Sequence, residues 1–323
     1  MAAADWSSTQ PVLFPDFFIV GVARSGTTLV RAIVTGHPCL TVPAETGFLP
    51  TLFRITPLWW RRGRLRRDLF TRLVFANGRL RRTGIQPRQL VDRLTRFPPG
   101  SPAEAVSRIY ELFGEDEPSV RVGDKTPGYE HHVALLAERF PGATFIHVVR
   151  HPLDVVASLV RQPWGPNDPL AAGMLWLRGV RACAKAAGSH VDTMLVVRLE
   201  DLIDEPAETV DRISSHLGVV KHPDMLRFTS RAQAISEQNA HPSGHAGLAG
   251  PLAATRHWRA DLSEDDAART WSLVGSTAER YGYHGPRDLP ADVSERDAAL
   301  RLARFRISRS WRRGRTLLQL TRP

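Results

Sequence analysis

The segment spanning residues 17–36 limits the fold more than any other part of the chain. A bulky apolar run at 17–22 follows Pro15, turns through glycines at 21 and 26, and gives way to Leu29, Ala32, Ile33 and Gly36 at helical spacing, before His37 and Pro38 end the helix. A short apolar run bounded by turn residues reads as a buried strand, and a strand feeding straight into an amphipathic helix starts a βα unit. Such units build parallel sheets covered by helices on both faces.

The pattern recurs. Thr144–Val149 is a second buried strand, entered through Pro141 and Gly142 and left through Arg150, His151 and Pro152, with a helix over 153–161. A third strand at 194–199 precedes Glu200, Asp201 and a helix from Pro206 that sets Ala207, Val210, Ile213, Ser214 and Leu217 on one face. The apolar stretch 120–122 reads as one more strand. The expected fold class is therefore α/β, a P-loop-like parallel sheet flanked by helices on both faces. With 323 residues, 42% of them hydrophobic, the chain can bury a full core. One catalytic domain is expected over 1–290, with an inserted segment at 52–100 that is rich in arginine and aromatics and lacks a strand signal. A basic helical tail over 291–323 is expected to follow. Residues 236–255, rich in glycine and proline, have the composition of a mobile cover.

The net charge of +10 is concentrated in the tail, where nine arginines and one aspartate between Arg296 and Pro323 supply eight of those charges. No helix-turn-helix, zinc-finger or aromatic stacking pattern accompanies it, so nucleic acid is not the expected partner. Cys39 and Cys183 are too few for a metal cluster or a disulfide framework and read as buried free thiols. Residues 1–10 lack the pattern of a secretory signal, and no apolar run reaches membrane-spanning length, which gives a cytoplasmic expectation. Two segments leave peripheral membrane contact open. One is the run Trp59, Trp60, Arg61, Arg62, Arg64, Leu65, Arg66, Arg67, Leu69 and Phe70; the other is the tail face of Leu300, Ala303, Ile307 and Trp311. Helices packed on the core are the competing reading of both.

Gly21, Val22, Ala23, Arg24, Ser25, Gly26, Thr27 and Thr28 sit where successive backbone amides can cradle an anion at a helix start. A nucleotide kinase or ATPase would place lysine after Gly26; here the position holds Thr27. A phosphosulfate donor needs less, because its sulfuryl group carries less charge than a terminal phosphate and its leaving group is already ionised. Arg24 with the hydroxyls of Ser25, Thr27 and Thr28 supplies donors enough. A serine and threonine helix cap beside a tight turn would give the same pattern.

This loop, in the stretch GVARSGTTLVRAIVTGHPCLTVPAET, resembles the PAPS-dependent sulfotransferase superfamily (PAPS, 3′-phosphoadenosine 5′-phosphosulfate), and within it the tyrosylprotein sulfotransferases and their bacterial relatives. The resemblance extends over 120–161 and 194–219 and weakly over 236–283. It implies sulfuryl transfer from PAPS to a hydroxyl acceptor, with PAP (3′,5′-adenosine bisphosphate) as product and no metal. A carbohydrate, a lipid, a phenolic metabolite and a peptide tyrosine all fit as acceptor. A phosphotransferase with a degenerate P-loop and a non-catalytic, basic, membrane-associated nucleotide-fold protein are the rival readings.

Individual residues follow. Glu45, in Pro43-Ala44-Glu45-Thr46, is by position either a solvated loop acid or a carboxylate returned to the mouth of the site, and the resemblance makes it the general base. Lys125 stands at a strand's carboxyl end and is either a surface lysine paired with Asp124 or a ligand-facing group. The resemblance makes it, with Arg24, a stabiliser of the transferring sulfuryl and departing phosphate. Arg150 and Ser158, eight positions apart, can converge on one phosphate, and the resemblance assigns them the donor's 3′-phosphate; pairing of Arg150 with Asp154 is the alternative. The donor cradle is thus Arg24, Ser25, Gly26, Thr27, Thr28, Arg150 and Ser158.

The chain departs from the family where Leu199 stands in place of an aromatic near adenine, and where His257 rather than lysine precedes Trp258. Arg256 or Arg259 could replace that cation, Ser236 ranks low as a donor contact, and Trp258 reads as core. No histidine matches the placement of Glu45, and no pair has zinc-site spacing, so no metal is implied.

Overall fold

The apolar runs pair side by side in parallel. The computed structural model describes residues 13–76, 78–114, 120–189, 194–238, 257–287 and 293–320, with side chains described except at 236–238 and beyond 308. In chain order the strands are β1 (Phe17–Val20), β2 (Leu40–Thr41), β3 (Trp60–Arg61), β4 (Arg64–Leu65), β5 (Arg121–Asp124), β6 (Thr144–Val149) and β7 (Met194–Arg198). Five form one sheet in the order β2-β5-β1-β6-β7, every pairing parallel. Phe17 lies opposite both Gly123 and Thr144, and Phe145 opposite Met194. Leu199, expected in the third strand, instead opens the helix Leu199–Asp204.

Strand alternation divides the core. Phe18, Val20 and Phe145 face a cluster built with Trp59, Phe70 and Tyr110, while Phe17, Ile19, Ile146 and Val148 face the helices Thr27–Val34 and Pro206–His216. All of these side chains are at most 1% exposed or fully covered, and each such large side chain contributes about 1.5–3 kcal/mol by its burial. A third cluster joins the helices Pro152–Val160, Pro169–Ala187 and Glu264–Ala278.

The inserted segment does contain strands, contrary to expectation. β3 and β4 form an antiparallel hairpin that turns through Arg62 and Gly63, both at positive φ. Two residues per strand, set among arginines, carry no alternation that a sequence reading could detect. Its aromatics are structural: Trp59 and Phe70 are fully buried with ring centroids 4.9 Å apart, while Arg61, Arg62 and Arg64 are exposed.

The tail helix, Glu295–Leu320, packs on the core through a face other than that of Leu300 and Ile307. Ala298 and Leu302 are buried in the third cluster, Arg301 donates to Asp168 at 2.8 Å, and Leu300 and Ile307 point outward, 51% and 59% exposed. The Trp311 side chain lies outside the described residues. So does 239–256, most of the expected cover; Ser236 falls in the helix Thr229–Gln238. Cys183 is buried, and Cys39 only half-buried. No described helix is long and apolar enough to cross a membrane.

One buried acid has a stability consequence. Glu130 is 3% exposed, accepts the Gly128 amide at 2.8 Å, and is pushed by burial up to about 7. The folded state therefore holds this proton more tightly than the unfolded chain does. Stability should fall as pH rises from about 4.5 to 7, by up to about 3 kcal/mol. Glu130→Gln should accordingly raise the melting temperature at pH 8 and lose that advantage near pH 4.5, as calorimetry at the two pH values would show; an equal change at both would contradict it.

Candidate active site

The parallel sheet brings the carboxyl ends of β1, β5 and β6 to one edge, with the loop after β2 beside them. In an open α/β sheet that edge is where ligands bind. β1 delivers the loop 21–28, β5 delivers Lys125, β6 delivers Arg150, and the segment after β2 delivers Glu45.

The loop is held by close packing. A Cβ on Gly21 would lie 2.5 Å from the Val148 carbonyl oxygen, so only glycine lets β1 leave the sheet against β6. Gly26 sits at φ 99 and leaves the helix Thr27–Val34 without a side-chain cap; a Cβ there would meet Leu199 at 2.7 Å. Arg24, a non-glycine residue at φ 78, occupies the left-handed region, and such backbone collects at ligand clamps. The Ser25 hydroxyl is 1% exposed and has no hydrogen-bond partner. A buried, unmatched hydroxyl in an anion loop fits a phosphate oxygen as its partner. Thr27 and Thr28 are buried at the helix start.

Arg24, Arg150 and Ser158 come together, with Arg24 between the other two. Its Nε donates to Ser158 Oγ at 2.9 Å, and Arg150 Nη1 donates to the Arg24 carbonyl at 3.3 Å. Burial, and then the charges of Arg150 and Arg161, push Arg24 down to about 10. Arg150 is also lowered by burial, with Asp154, whose carboxylate is 3.9 Å away, opposing. Buried guanidiniums that repel one another are stabilised by an arriving anion.

Lys125 is not the surface residue that its position allowed. It is 1% exposed, and its Nζ donates to Glu45 Oε1 at 2.6 Å. Burial lowers its pKa while Glu45 opposes the shift. Asp124, the partner that sequence order offered, turns to three hydroxyls: it accepts from Thr46 at 2.7 Å, from Thr126 at 2.9 Å, and from Tyr110. Glu45 keeps 26% of its side chain exposed, so it is both held by Lys125 and open to an incoming group.

Arg31 was not anticipated. It is 5% exposed, donates through Nε to the Val42 carbonyl at 3.0 Å and leaves Nη1 unpartnered, and burial pushes it down to about 10 against the pull of Glu45 and Asp124. Its place within the otherwise apolar stretch 29–34 of the helix is the one signal that could have marked it. Tyr110 and Tyr129 were missed too; neither lies near the loop in sequence.

Of the departures, Leu199 packs against the loop at Gly26. Trp258 is core, 5% exposed, and its amide donates to Asp154 at 2.7 Å. His257 is exposed, Arg259 lies 4.4 Å over the Trp258 ring, and Arg256 lies outside the described residues. Among the described residues, no three His, Cys, Asp or Glu side chains gather as a metal site. A groove of about 750 Å³ on the insertion, lined by Arg64, Arg66, Arg67 and Arg72 with Leu94 and Pro98, contains none of the candidate residues.

Comparison with known proteins draws these features together. Protein-tyrosine sulfotransferase A of Caenorhabditis elegans is 25% identical over 285 residues, covering 83% of this chain and 67% of that protein. Protein-tyrosine sulfotransferase 1 of Danio rerio is 29% identical over 146 residues, 45% of this chain and 35% of that protein. The chain thus spans about a third of the zebrafish relative, and what these whole proteins act on does not pass to it by similarity alone. Among solved structures, the sulfotransferase domain from the Synechococcus PCC 7002 olefin synthase superposes with a TM-score of 0.55 at 23% identity, over 86% of this chain and 98% of that one. The sulfotransferase domain from the curacin biosynthetic pathway gives 0.52 at 19% identity, over 86% and 100%. Both show a shared fold. The sulfotransferase family profile matches residues 15–224, a span that holds the loop, Glu45, Lys125, Arg150 and Ser158. With well over half its length inside that match and the same sheet beneath it, the chain belongs to the sulfotransferase family.

Proposed function

We propose that the protein transfers a sulfuryl group from PAPS to a hydroxyl acceptor, with Glu45 as general base. Family membership supports sulfuryl transfer as the general chemistry. The observation that carries the finer reading is the contact between partly exposed Glu45 and buried Lys125, at the sheet edge that also holds the unmatched Ser25 hydroxyl and the Arg24–Ser158–Arg150 cluster.

The tasks divide among these residues. Arg150 and Ser158 hold the 3′-phosphate, and the loop from Arg24 to Thr28 holds the 5′ end. Glu45 accepts the acceptor's proton as its oxygen bonds to sulfur. Lys125 and Arg24 stabilise the electron pair left on the phosphate oxygen as the old S–O bond breaks, releasing PAP. Acceptors with a hydroxyl remain the class; the relatives' names make a peptide tyrosine one member, beside carbohydrate, lipid and phenolic metabolites.

Calorimetry tests the donor. PAP should bind without magnesium, and Arg150→Ala should weaken it about 10- to 100-fold, the worth of a charged hydrogen bond or two. Binding of 5′-AMP, which lacks the 3′-phosphate, should change little in the same variant. Tight binding of ATP with magnesium and no response to PAP would reject the proposal in favour of phosphoryl transfer.

A further inference from the structure

Beneath Glu45 and Lys125 lies a buried polar hub with no assigned role. Asp124 is fully buried and accepts from Thr46, Thr126 and Tyr110. The same hydroxyls fasten the chain around Glu45. Thr46 Oγ1 also lies 3.3 Å from the Tyr110 hydroxyl and 3.2 Å from that of Tyr129. Thr126 accepts the Gly47 amide at 3.3 Å, and Tyr129 accepts the Leu49 amide at 3.3 Å. The segment that follows Glu45 is therefore pinned at Thr46, Gly47 and Leu49 to groups gathered on or beside Asp124. Tyr110 comes from the helix Pro102–Glu111, so the hub also ties this segment to the region beyond the insertion.

Charge gives the hub a second effect. The groups that act on Lys125 are Glu45, Arg31 and Asp124, and the latter two are buried. The two cations Lys125 and Arg31 are balanced by the two carboxylates, Glu45 and Asp124. Three hydroxyl donors on one carboxylate are the pattern of its ionised form, although burial raises its pKa while those hydroxyls and Lys125 oppose. Removing the Asp124 charge would leave Lys125 facing Arg31 with Glu45 as the single counter-charge.

We propose that Asp124 is a positioning residue for sulfuryl transfer: through the Thr46, Thr126 and Tyr110 hydroxyls it holds Glu45 against Lys125, and its charge offsets that of Arg31 at Lys125. The proposal rests on the reading of Glu45 and Lys125 given above. Tyr110 shares the first task and not the second.

The composition makes the charge effect directly visible. Lys125, Lys185 and Lys221 are the only lysines among the 43 basic residues, so protein labelled with ¹³C at lysine Cε gives three side-chain signals. The Lys125 signal is the one lost in Lys125→Met. In Asp124→Asn it should titrate at lower pH than in wild type, and in Tyr110→Phe it should stay at the wild-type position. Release of PAP from PAPS, with water as acceptor, should slow about 10- to 100-fold in both variants while the PAP dissociation constant changes less than about threefold. An unmoved Lys125 signal in folded Asp124→Asn would overturn the charge effect, and unchanged turnover in Tyr110→Phe would overturn the positioning role. Tyr110→Phe adds no polar group to the core and carries the kinetic test if Asp124→Asn does not fold. If wild type binds no PAP, the underlying reading falls and this one with it; PAP binding together with either overturning result removes this one alone.

Discussion

Replacing Glu45 with glutamine is expected to lower kcat by about 100- to 10,000-fold, the range that a general base contributes, while PAP affinity changes no more than a few-fold. Glutamine keeps the volume and still offers Lys125 an oxygen where the carboxylate lies 2.6 Å away. It cannot take a proton from an attacking hydroxyl. The change also removes the negative charge that opposes the burial of Lys125, so the lysine loses its proton more readily, and part of the lost rate comes from that second group. Single-turnover rates for PAPS consumption, set beside calorimetric PAP binding, separate the two steps. A variant that retains more than about a tenth of the wild-type rate would show that another group takes the proton, and Glu45 would become an ion-pair partner of Lys125 and nothing more.

How far the sequence carried depends on whether each signal was local. β6 matches its expected ends because a continuous apolar run stands between a Pro-Gly turn and Arg150-His151-Pro152, and every residue after the first is buried. The loop was equally legible, because its glycines are local signals, and close approach to Val148 at Gly21 and the positive φ at Gly26 account for them. The tail shows the opposite case. Its apolar residues fit more than one helical face, and the partner helix Pro169–Ala187, with Asp168 holding Arg301, selects Ala298 and Leu302 over Leu300 and Ile307. Nothing in the tail alone encodes that selection.

The site divides in the same way. Glu45, Lys125 and Arg150 each lie beside a recognisable turn at a strand end, and Ser158 lies two turns into the helix that follows Arg150. The partners they chose were not legible. Asp124 ends β5 and Lys125 is the first residue past it, yet the two side chains part: Lys125 reaches Glu45, 80 positions earlier, and Asp124 reaches Tyr110 and Thr46. Three hydroxyls from three segments meet at the Asp124 carboxylate, at the end of a strand that lies between β2 and β1 in the sheet. Such convergence is a property of topology, and it leaves single hydroxyl residues in the sequence with nothing to distinguish them.

Lys125 should prove as demanding as Glu45, and more particular about chemistry. Lys125→Met, which preserves the length of the stem and removes the charge, is expected to reduce kcat by about 100- to 1,000-fold, as losing one preorganised donor to a developing oxyanion does. Lys125→Arg should not restore the rate to within about tenfold, although it restores the charge. The slot is 1% exposed and bounded by Glu45, Asp124 and Arg31, and a planar guanidinium with five donors brings more volume and more hydrogen-bonding demand than those groups can meet. Composition sharpens the point, since a chain with forty arginines uses one of its three lysines here, while Lys185 is exposed and Lys221 pairs with Asp211 at the surface. A compact ammonium can leave one carboxylate and meet a phosphate oxygen without disturbing its neighbours. The measurement is PAPS turnover in the two variants at matched PAP occupancy, with circular dichroism to confirm folding. Wild-type turnover in Lys125→Met would remove this lysine from the chemistry, and full rescue by arginine would show that charge alone, without the shape of the ammonium, is what the site requires.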